Sequence, residues 1–255
     1  MLLAVNIGNS NIRFGVWKDK WIAGWTLHTL PYRSAYEYAI SVDNMLAYND
    51  LKSAHIGDVA IASVVPQITA TVQTGLRHLF QTQPLVVSTR SKTSLTALGN
   101  PVRKGLGADL LANAEAAFQL YKKDTIIVDF GTALTHTVVD KTGDIKGVII
   151  APGVKAALQS LVENTAQLSH IEIEVPPEVI GTHTTACIQS GIVYGFLSMA
   201  EGLIDRIDQE RGQTHMVILT GGMSHVFRDL SDKFDRFDKL HTLKGIRLIW
   251  GLNKD

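Results

Sequence analysis

Three short polar turns that follow apolar runs are the parts of this sequence best suited to chemistry. Gly8-Asn9-Ser10 separates two strand-like segments, Gly131-Thr132 separates two more, and Gly221-Gly222 follows the apolar run from Met216 to Leu219. Backbone amides in such glycine turns point outward, and no side chain blocks the approach of a ligand. The turns are therefore candidates for holding phosphate groups, although each alone could also be an ordinary hairpin turn or a helix-entry loop.

Two aspartates occupy positions at which a carboxylate could take part in phosphoryl transfer. Asp129 ends an apolar strand directly before the second turn, where a charge is costly unless it meets solvent or a partner. Asp109 follows Gly105-Leu106-Gly107-Ala108 and begins a helix-like segment. Phosphoryl transfer needs backbone donors, a divalent ion, a positioned hydroxyl and often a carboxylate that accepts its proton. Alternatively, Asp129 caps a turn and Asp109 stabilises a helix N-terminus.

The apolar pattern around these residues predicts two halves of similar design. The first half has the order β-β-β-α-β-α-β, with strands near 2–5, 12–16, 21–29, 59–65 and 85–87 and helices near 36–46 and 68–79. The second half has strands near 125–129, 135–139, 145–150 and 216–219 and helices near 110–121, 154–161, 184–211, 226–230 and 245–253. Asn6 and Asp129 open similar strand–turn–strand segments, which indicates an internal duplication. We therefore predict two domains, residues 1–115 and 116–255.

Composition narrows the function classes. Of 255 residues, 24 are Lys or Arg and 24 are Asp or Glu, so the sequence lacks the basic excess typical of nucleic-acid binding. We expect no signal peptide and no membrane span, because the N-terminus carries no basic segment and no apolar run reaches about 18 residues. Cys187 is the single cysteine, so no intramolecular disulfide is possible, and we expect it to be buried. These features predict a cytoplasmic protein.

Several further short segments lie between and beside these turns, and the whole series extends along almost the whole chain. Together with the turns, they are Asn6-Ile7-Gly8-Asn9-Ser10-Asn11, Ser63-Val64-Val65-Pro66, Asn100-Pro101, Gly107-Ala108-Asp109, Asp129-Phe130-Gly131-Thr132-Ala133-Leu134-Thr135, Ala151-Pro152-Gly153, Asn164-Thr165-Ala166, Ile180-Gly181 and Ser190-Gly191-Ile192. In this combination the sequence resembles the type III pantothenate kinases of the actin-like sugar-kinase superfamily. The resemblance implies an α/β fold of two related actin-like (ribonuclease H-like) domains, each a mixed five-stranded sheet flanked by helices.

The resemblance also implies a reaction and its residues. ATP would phosphorylate pantothenate to 4′-phosphopantothenate, the first step of coenzyme A biosynthesis, with Asp109 as the general base. The residues implied for ATP and its phosphates are Asn6, Gly8, Asn9, Ser10, Asn11, Gly131, Thr132, Gly221 and Gly222. Those implied for pantothenate are Leu98, Gly107, Ala108, Asp109, Leu110 and Thr184.

Ions and a second subunit belong to the same expectation. The resemblance implies Mg²⁺ beside Asn6 and a monovalent cation, K⁺ or NH₄⁺, beside Asp129. It implies a homodimer with shared active sites, in which Thr184 of one subunit reaches the pantothenate site of the other. No nucleic acid and no membrane are expected as partners.

Three positions depart from the family pattern. Asn6 stands where the family has Asp, Leu110 where it has Arg, and Leu98 where it has Tyr. Asn lacks the negative charge that Mg²⁺ prefers, and Leu cannot replace an Arg–carboxylate contact. Arg103 or Lys104 could supply the missing positive charge. Two alternatives to the pantothenate kinase therefore remain: a catalytically impaired homologue acting as a nucleotide-binding regulatory protein, or a kinase of another small alcohol that suits a more apolar pocket.

Overall fold

The computed structural model describes residues 1–96, 105–163 and 171–254 of the 255-residue chain. The chain forms two compact units. Unit 1 comprises Met1–Gln119 together with Leu240–Asp255, and unit 2 comprises Leu120–Lys239. Each unit contains one five-stranded sheet, so two sheets flanked by helices are present as the sequence predicts.

The sheet of unit 1 is mixed. Its strands are β1 (Leu2–Ile7), β2 (Asn11–Trp17), β3 (Trp21–His28), β4 (Asp58–Ser63) and β5 (Leu85–Val86). They lie in the order β3-β2-β1-β4-β5. Short turns make β1, β2 and β3 antiparallel neighbours, whereas β1, β4 and β5 are parallel because longer helical connections join them.

The helices of unit 1 begin at recognisable sequence signals. They are α1 (Ala35–Tyr48), α2 (Pro66–Phe80) and α3 (Ala108–Tyr121), with a short 3₁₀ turn at Ser53–His55. The hydroxyl of Ser34 accepts from the backbone N–H of Glu37, whose carboxylate accepts from the N–H of Ser34, so α1 starts with a capping box. Proline begins α2, where its missing N–H costs nothing. Apolar residues of β1, β2, β4, α1 and α2 form one buried core.

The sheet of unit 2 is also mixed. Its strands are β6 (Thr125–Phe130), β7 (Ala133–Val139), β8 (Ile145–Pro152), β9 (Met216–Thr220) and β10 (Arg236–Phe237), in the order β10-β9-β6-β7-β8. Its helices are α4 (Val154–Glu163), α5 (Thr184–Arg211) and the short α6 (Ser224–Phe227). Alternate residues of β6 and β9 pack with α5 in a second buried core, which includes the stacked rings of Phe130 and Phe227.

The last helix, α7 (His241–Asn253), packs in unit 1 rather than with the segment that precedes it. A Cβ atom added to Gly245 would lie 1.8 Å from the carbonyl oxygen of Ala112 on α3, so the two helices touch backbone to backbone. The side chain of Leu243 lies against Gly15 of β2. Packing places α7 in unit 1, so the compact units do not coincide with the two duplicated halves of the sequence. The predicted boundary between residues 115 and 116 remains a proposal about those halves.

Helix α5 is, by length and composition, the one described helix that could cross a membrane. It has 28 residues, and 33% of its most apolar 18-residue stretch is buried. Core helices of soluble proteins pass the same test, so one such helix is weak evidence for a membrane span. Its buried face, with Val193, Phe196 and Ile204, belongs to the core of unit 2.

Candidate active site

The first glycine turn joins β1 to β2 and is held from β3. The N–H of Gly8 donates to the carbonyl of Asn11 at 3.0 Å. Thr29, which is 1% exposed, donates through Oγ1 to the carbonyl of Gly8 at 2.6 Å, and its N–H donates to the carbonyl of Ser10 at 3.1 Å. Thr29 therefore fixes both sides of the turn. Nothing in the sequence marks Thr29 as part of the turn, because only the strand pairing places the end of β3 beneath it.

If the first turn holds the phosphates of ATP, as the resemblance implies, Thr29→Val should weaken ATP binding without unfolding the protein. Valine keeps the shape of threonine but removes the bond to Gly8, which leaves that carbonyl unpaired and the turn less rigid. The KM for ATP should rise about three- to tenfold, which corresponds to one neutral hydrogen bond. Steady-state kinetics at saturating acceptor substrate measure this, with exposed Thr214→Val as the control. An unchanged KM would show that the turn holds its shape without Thr29.

Asn6, two residues before this turn, lies opposite Arg13. The pairing of β1 with β2 sets Asn6 against Arg13, and the pairing with β4 sets Asn6 against Ala62. Directly opposed residues of antiparallel strands point to the same face of a sheet. The Oδ1 atom of Asn6 is buried and has no hydrogen-bond partner within the described residues. An amide oxygen and a guanidinium group thus share the sheet face beneath the first turn.

Asp109 lies in the first turn of α3, as the sequence predicts, and its carboxylate is packed against Gly107. Oδ1 accepts from the N–H of Leu110 at 2.7 Å, and it lies 2.7 Å from the position of a Cβ atom added to Gly107. The side chain of Val64 lies 3.3 Å from the same position, and the N–H of Val64 donates to Ile7 at 3.0 Å. The end of β1, the segment after β4 and Asp109 are therefore neighbours within unit 1.

The chain just before residue 97 is anchored to α3 by a buried carboxylate. Glu115 is fully buried, and its two carboxylate oxygens accept from the N–H of Ser94 at 3.1 and 3.0 Å. Gln119 donates to the hydroxyl of Ser94 at 3.0 Å. Several predicted residues that follow in sequence lie outside the described residues, namely Leu98, Asn100, Pro101, Arg103 and Lys104.

In unit 2, the carboxylate of Asp129 lies between the other two glycine turns. Its Oδ1 is 3.1 Å from the position of a Cβ atom added to Gly131 and 2.5 Å from that of one added to Gly221. Gly221 also has a φ of +105°, a conformation that glycine adopts more readily than other residues. The N–H of Met223 donates to the carbonyl of Phe130 at 3.0 Å, which ties the two turns together. The structure thus brings Asp129 together with both turns of this unit.

Two threonines stand beside Asp129 on the neighbouring strands. Asp129 pairs with Thr135 of β7 and with Thr220 of β9, so the three side chains form a row on one face of the sheet. Thr135 is 8% exposed and Thr220 is fully buried, and neither hydroxyl has a hydrogen-bond partner within the described residues. His136 points to the opposite face, and burial lowers its pKa to about 4, so it is uncharged near neutral pH.

The second turn is supported from behind by Gly153. A Cβ atom at Gly153 would lie 2.1 Å from the carbonyl oxygen of Thr132, so only glycine permits this contact.

Helix α5 starts at Thr184, which is exposed, and the ring of His183 accepts from the N–H of Ala186 at 3.4 Å. The expectation that Cys187 is buried is wrong: its thiol is exposed and donates to the carbonyl of Gly181 at 3.2 Å, because it lies on the outer side of the first turn of α5.

The similarity of this chain to known proteins extends along its whole length. Residues 2–206 match a family described as type III pantothenate kinase. A type III pantothenate kinase from Paracoccus denitrificans (strain Pd 1222) is 37% identical over 258 residues, covering 100% of this chain and 98% of that protein. This chain belongs to the type III pantothenate kinase family. The family consists of kinases, and membership implies the use of ATP and a divalent metal.

Solved structures of other proteins share the fold of this pantothenate kinase family member. A protein described as a Baf family transcriptional activator from Campylobacter jejuni has a TM-score of 0.58 at 19% identity, covering 98% of each chain. One described as a 2-dehydro-3-deoxygalactonokinase from Sinorhizobium meliloti has a TM-score of 0.56 at 12% identity, covering 98% of this chain and 96% of that one. With the two mixed five-stranded sheets, they confirm the predicted two-domain actin-like fold.

Proposed function

We propose that this protein transfers the γ-phosphoryl group of ATP to the hydroxyl of pantothenate and forms 4′-phosphopantothenate and ADP. The observation that carries the proposal is the position of Asp109 in a member of this kinase family. Its carboxylate packs against Gly107, which also lies against Val64, and Val64 is hydrogen-bonded to Ile7 at the end of β1, directly before the first glycine turn. A base for the hydroxyl and backbone donors for a phosphate are therefore neighbours in one unit, as phosphoryl transfer requires.

In the reaction that we infer, separate residues accept the proton, bind the phosphates and bind pantothenate. Asp109 accepts the proton of the pantothenate hydroxyl, whose oxygen bonds to the γ-phosphorus as the bond to the β-phosphate oxygen breaks. The proposed phosphate contacts are Gly8, Asn9, Ser10, Asn11, Gly131 and Thr132, with Gly221 and Gly222 along the nucleotide. Gly107, Ala108, Leu110 and Thr184 are proposed contacts of pantothenate, together with Leu98, which lies outside the described residues.

A monovalent cation, K⁺ or NH₄⁺, fits the surroundings of Asp129. Hard cations prefer oxygen ligands, and the row beside Asp129 offers a carboxylate with the two buried hydroxyls of Thr135 and Thr220. These three side chains would hold the ion, which when bound supplies positive charge near the phosphates. The hydroxyls would then obtain the partner that they lack within the described residues.

We expect Thr220→Val to weaken the response to K⁺ specifically. The KCl concentration that gives half of the maximal rise in unfolding temperature should increase about three- to tenfold, because one oxygen ligand is lost. Thermal unfolding with ATP measures this, with choline chloride keeping the ionic strength constant. The matched control is Thr137→Val on the same face, since Thr137 is also buried without a hydrogen-bond partner in the described chain but lies outside the row of Asp129. An equal response in both variants would contradict the proposed site.

We propose further that the protein is a cytoplasmic homodimer in which Thr184 contributes to the pantothenate site of the other subunit. The exposed position of Thr184 at the start of α5 supports this. No nucleic acid and no membrane are proposed as partners, in keeping with the zero net charge. Light scattering at several protein concentrations tests the dimer. Mixing subunits that carry Asp109→Asn with subunits that carry Thr184→Val tests the sharing, because mixed dimers should recover part of the activity.

Formation of ADP with ATP, Mg²⁺, K⁺ and pantothenate, compared with a panel of other small alcohols, tests the proposed reaction. Turnover of pantothenate above the level of Asp109→Asn supports it.

Two positions favour a second candidate function, an impaired homologue that binds nucleotide as a regulatory protein. At these positions Asn6 and Leu110 lack the charges of the family pattern. If only the Asn6→Asp, Leu110→Arg double variant turns over, that candidate is correct. Preference for another alcohol would redirect the proposal to that substrate.

A further inference from the structure

Arg13 is a half-buried cation beneath the first glycine turn, and the proposed reaction does not use it. It lies on β2 opposite Asn6, with Thr26 of β3 on its other side. The Cβ atoms of such opposed residues are about 4.5–5.5 Å apart. Within the described residues, the guanidinium group of Arg13 has no hydrogen bond, ion pair or aromatic contact. A guanidinium group that is partly removed from water favours an anionic partner.

The described surroundings of Arg13 on this face contain no carboxylate in register with it. The next residues toward the turn are Asn11 and His28, which pair with each other. On the other side, Gly15 pairs with Gly24, and both lack side chains. Arg13 is therefore the charged group that lies in register nearest to the turn, and its charge is not neutralised by the strands on either side.

Position 6 does not fit a divalent cation in this chain. Mg²⁺ in proteins is held by one or two carboxylates and keeps several waters, whereas Asn6 offers a neutral amide oxygen and faces a guanidinium group. Within the described residues, no group of three or more His, Cys, Asp or Glu side chains is placed to hold a metal ion. The divalent metal that the family uses therefore has no carboxylate ligand at residue 6 here.

We propose that Arg13 binds the phosphate chain of ATP directly at the first turn and provides the positive charge that a metal-binding carboxylate at position 6 would otherwise recruit. This inference rests on the proposed function, since it concerns the same nucleotide. Arginine suits the role because its planar guanidinium donates two parallel N–H bonds to phosphate oxygens. Asn6 is compatible with this role of Arg13 because its amide is neutral. A carboxylate opposite Arg13 would compete with the phosphate for the guanidinium group.

Calorimetric titration with ADP and with AMP, in Mg²⁺ and in EDTA, tests this proposal. Wild-type protein should bind ADP in EDTA. Arg13→Met should weaken ADP binding in EDTA by about ten- to a hundredfold, the range of a charge-assisted bond. It should leave AMP binding unchanged, because the β-phosphate is the group that Arg13 reaches. Arg77→Met, which removes an exposed arginine of α2, is the matched control and should change neither nucleotide.

Asn6→Asp tests the same idea without touching Arg13. The new carboxylate should pair with Arg13, so ADP binding in EDTA should fall while binding in Mg²⁺ recovers. Arg13→Lys should bind ADP with intermediate affinity, since it keeps the charge but not the paired donors, and it serves if Arg13→Met does not fold. Equal losses for ADP and AMP, or wild-type binding of ADP only in Mg²⁺, would overturn the proposal while leaving the kinase reaction intact. Absence of nucleotide binding in every variant would overturn both.

Discussion

Asp109→Asn should lower kcat for pantothenate phosphorylation by about 10²- to 10⁴-fold, the usual contribution of general acid–base catalysis. Asparagine is nearly the same size as aspartate and can still accept the hydrogen bond from the N–H of Leu110. The start of α3 and its contact with Gly107 should therefore be preserved, and the KM for ATP should change little. The variant loses the ability to accept a proton from the substrate hydroxyl, and this accounts for the expected effect.

Steady-state kinetics with ATP, Mg²⁺ and K⁺ measure the change, with thermal unfolding as a check on the fold. Asp43→Asn, on the exposed side of α1, is the control and should retain the wild-type rate. A kcat for Asp109→Asn within about tenfold of wild type would assign the base to another group. A large loss that is accompanied by a lower unfolding temperature would instead indicate a structural role at the helix N-terminus.

Gly245→Ala should be strongly destabilising, by about 3 kcal/mol or more, at the upper end of overpacking effects in protein cores. The added methyl group would lie 1.8 Å from the carbonyl oxygen of Ala112, and this neighbour is backbone that cannot rotate away. Either α7 must leave the sheet or α3 must shift. Because α3 carries Asp109 in its first turn, the activity that remains in folded protein should fall as well.

The same helix provides the control for this substitution. A Cβ atom at Gly251 would meet nothing within 4 Å, so Gly251→Ala should be neutral or stabilising by up to about 1 kcal/mol through helix propensity alone. Denaturant unfolding of the two variants beside wild type measures both effects. If the two variants were equally stable, the contact between α3 and α7 would have to be looser than the backbone approach indicates.

Most of the fold was predictable because its strands and helices have clear periods and clear ends. The helix predicted near 184–211 begins at Thr184 and ends at Arg211 as expected, before a glycine with a φ of +64°. Strand β10 was missed because two residues carry no periodicity. Helix α7 begins at His241, four residues earlier than predicted, because its first turn contains polar residues, His241 and Thr242, that are buried and give no apolar period in the sequence.

The candidate site was only partly predictable, for a different reason. The glycine turns and the two aspartates can be recognised in the sequence from their residue types and from their positions beside apolar segments. Thr29, Thr220 and Arg13 do not, because their proximity to the turns depends on which strands pair and in what register. Nothing in the sequence near Thr220 indicates that it lies beside Asp129, which is about ninety residues away in the chain.

The return of α7 to unit 1 determines the order in which the two units can be completed during synthesis. Unit 2 is a continuous segment, Leu120–Lys239, whereas unit 1 needs α7, which follows unit 2 in the chain, to cover β1 and β4. Domains generally fold as they emerge from the ribosome. Unit 2 can therefore fold while unit 1 still exposes an apolar sheet face, so unit 1 reaches its native state after unit 2.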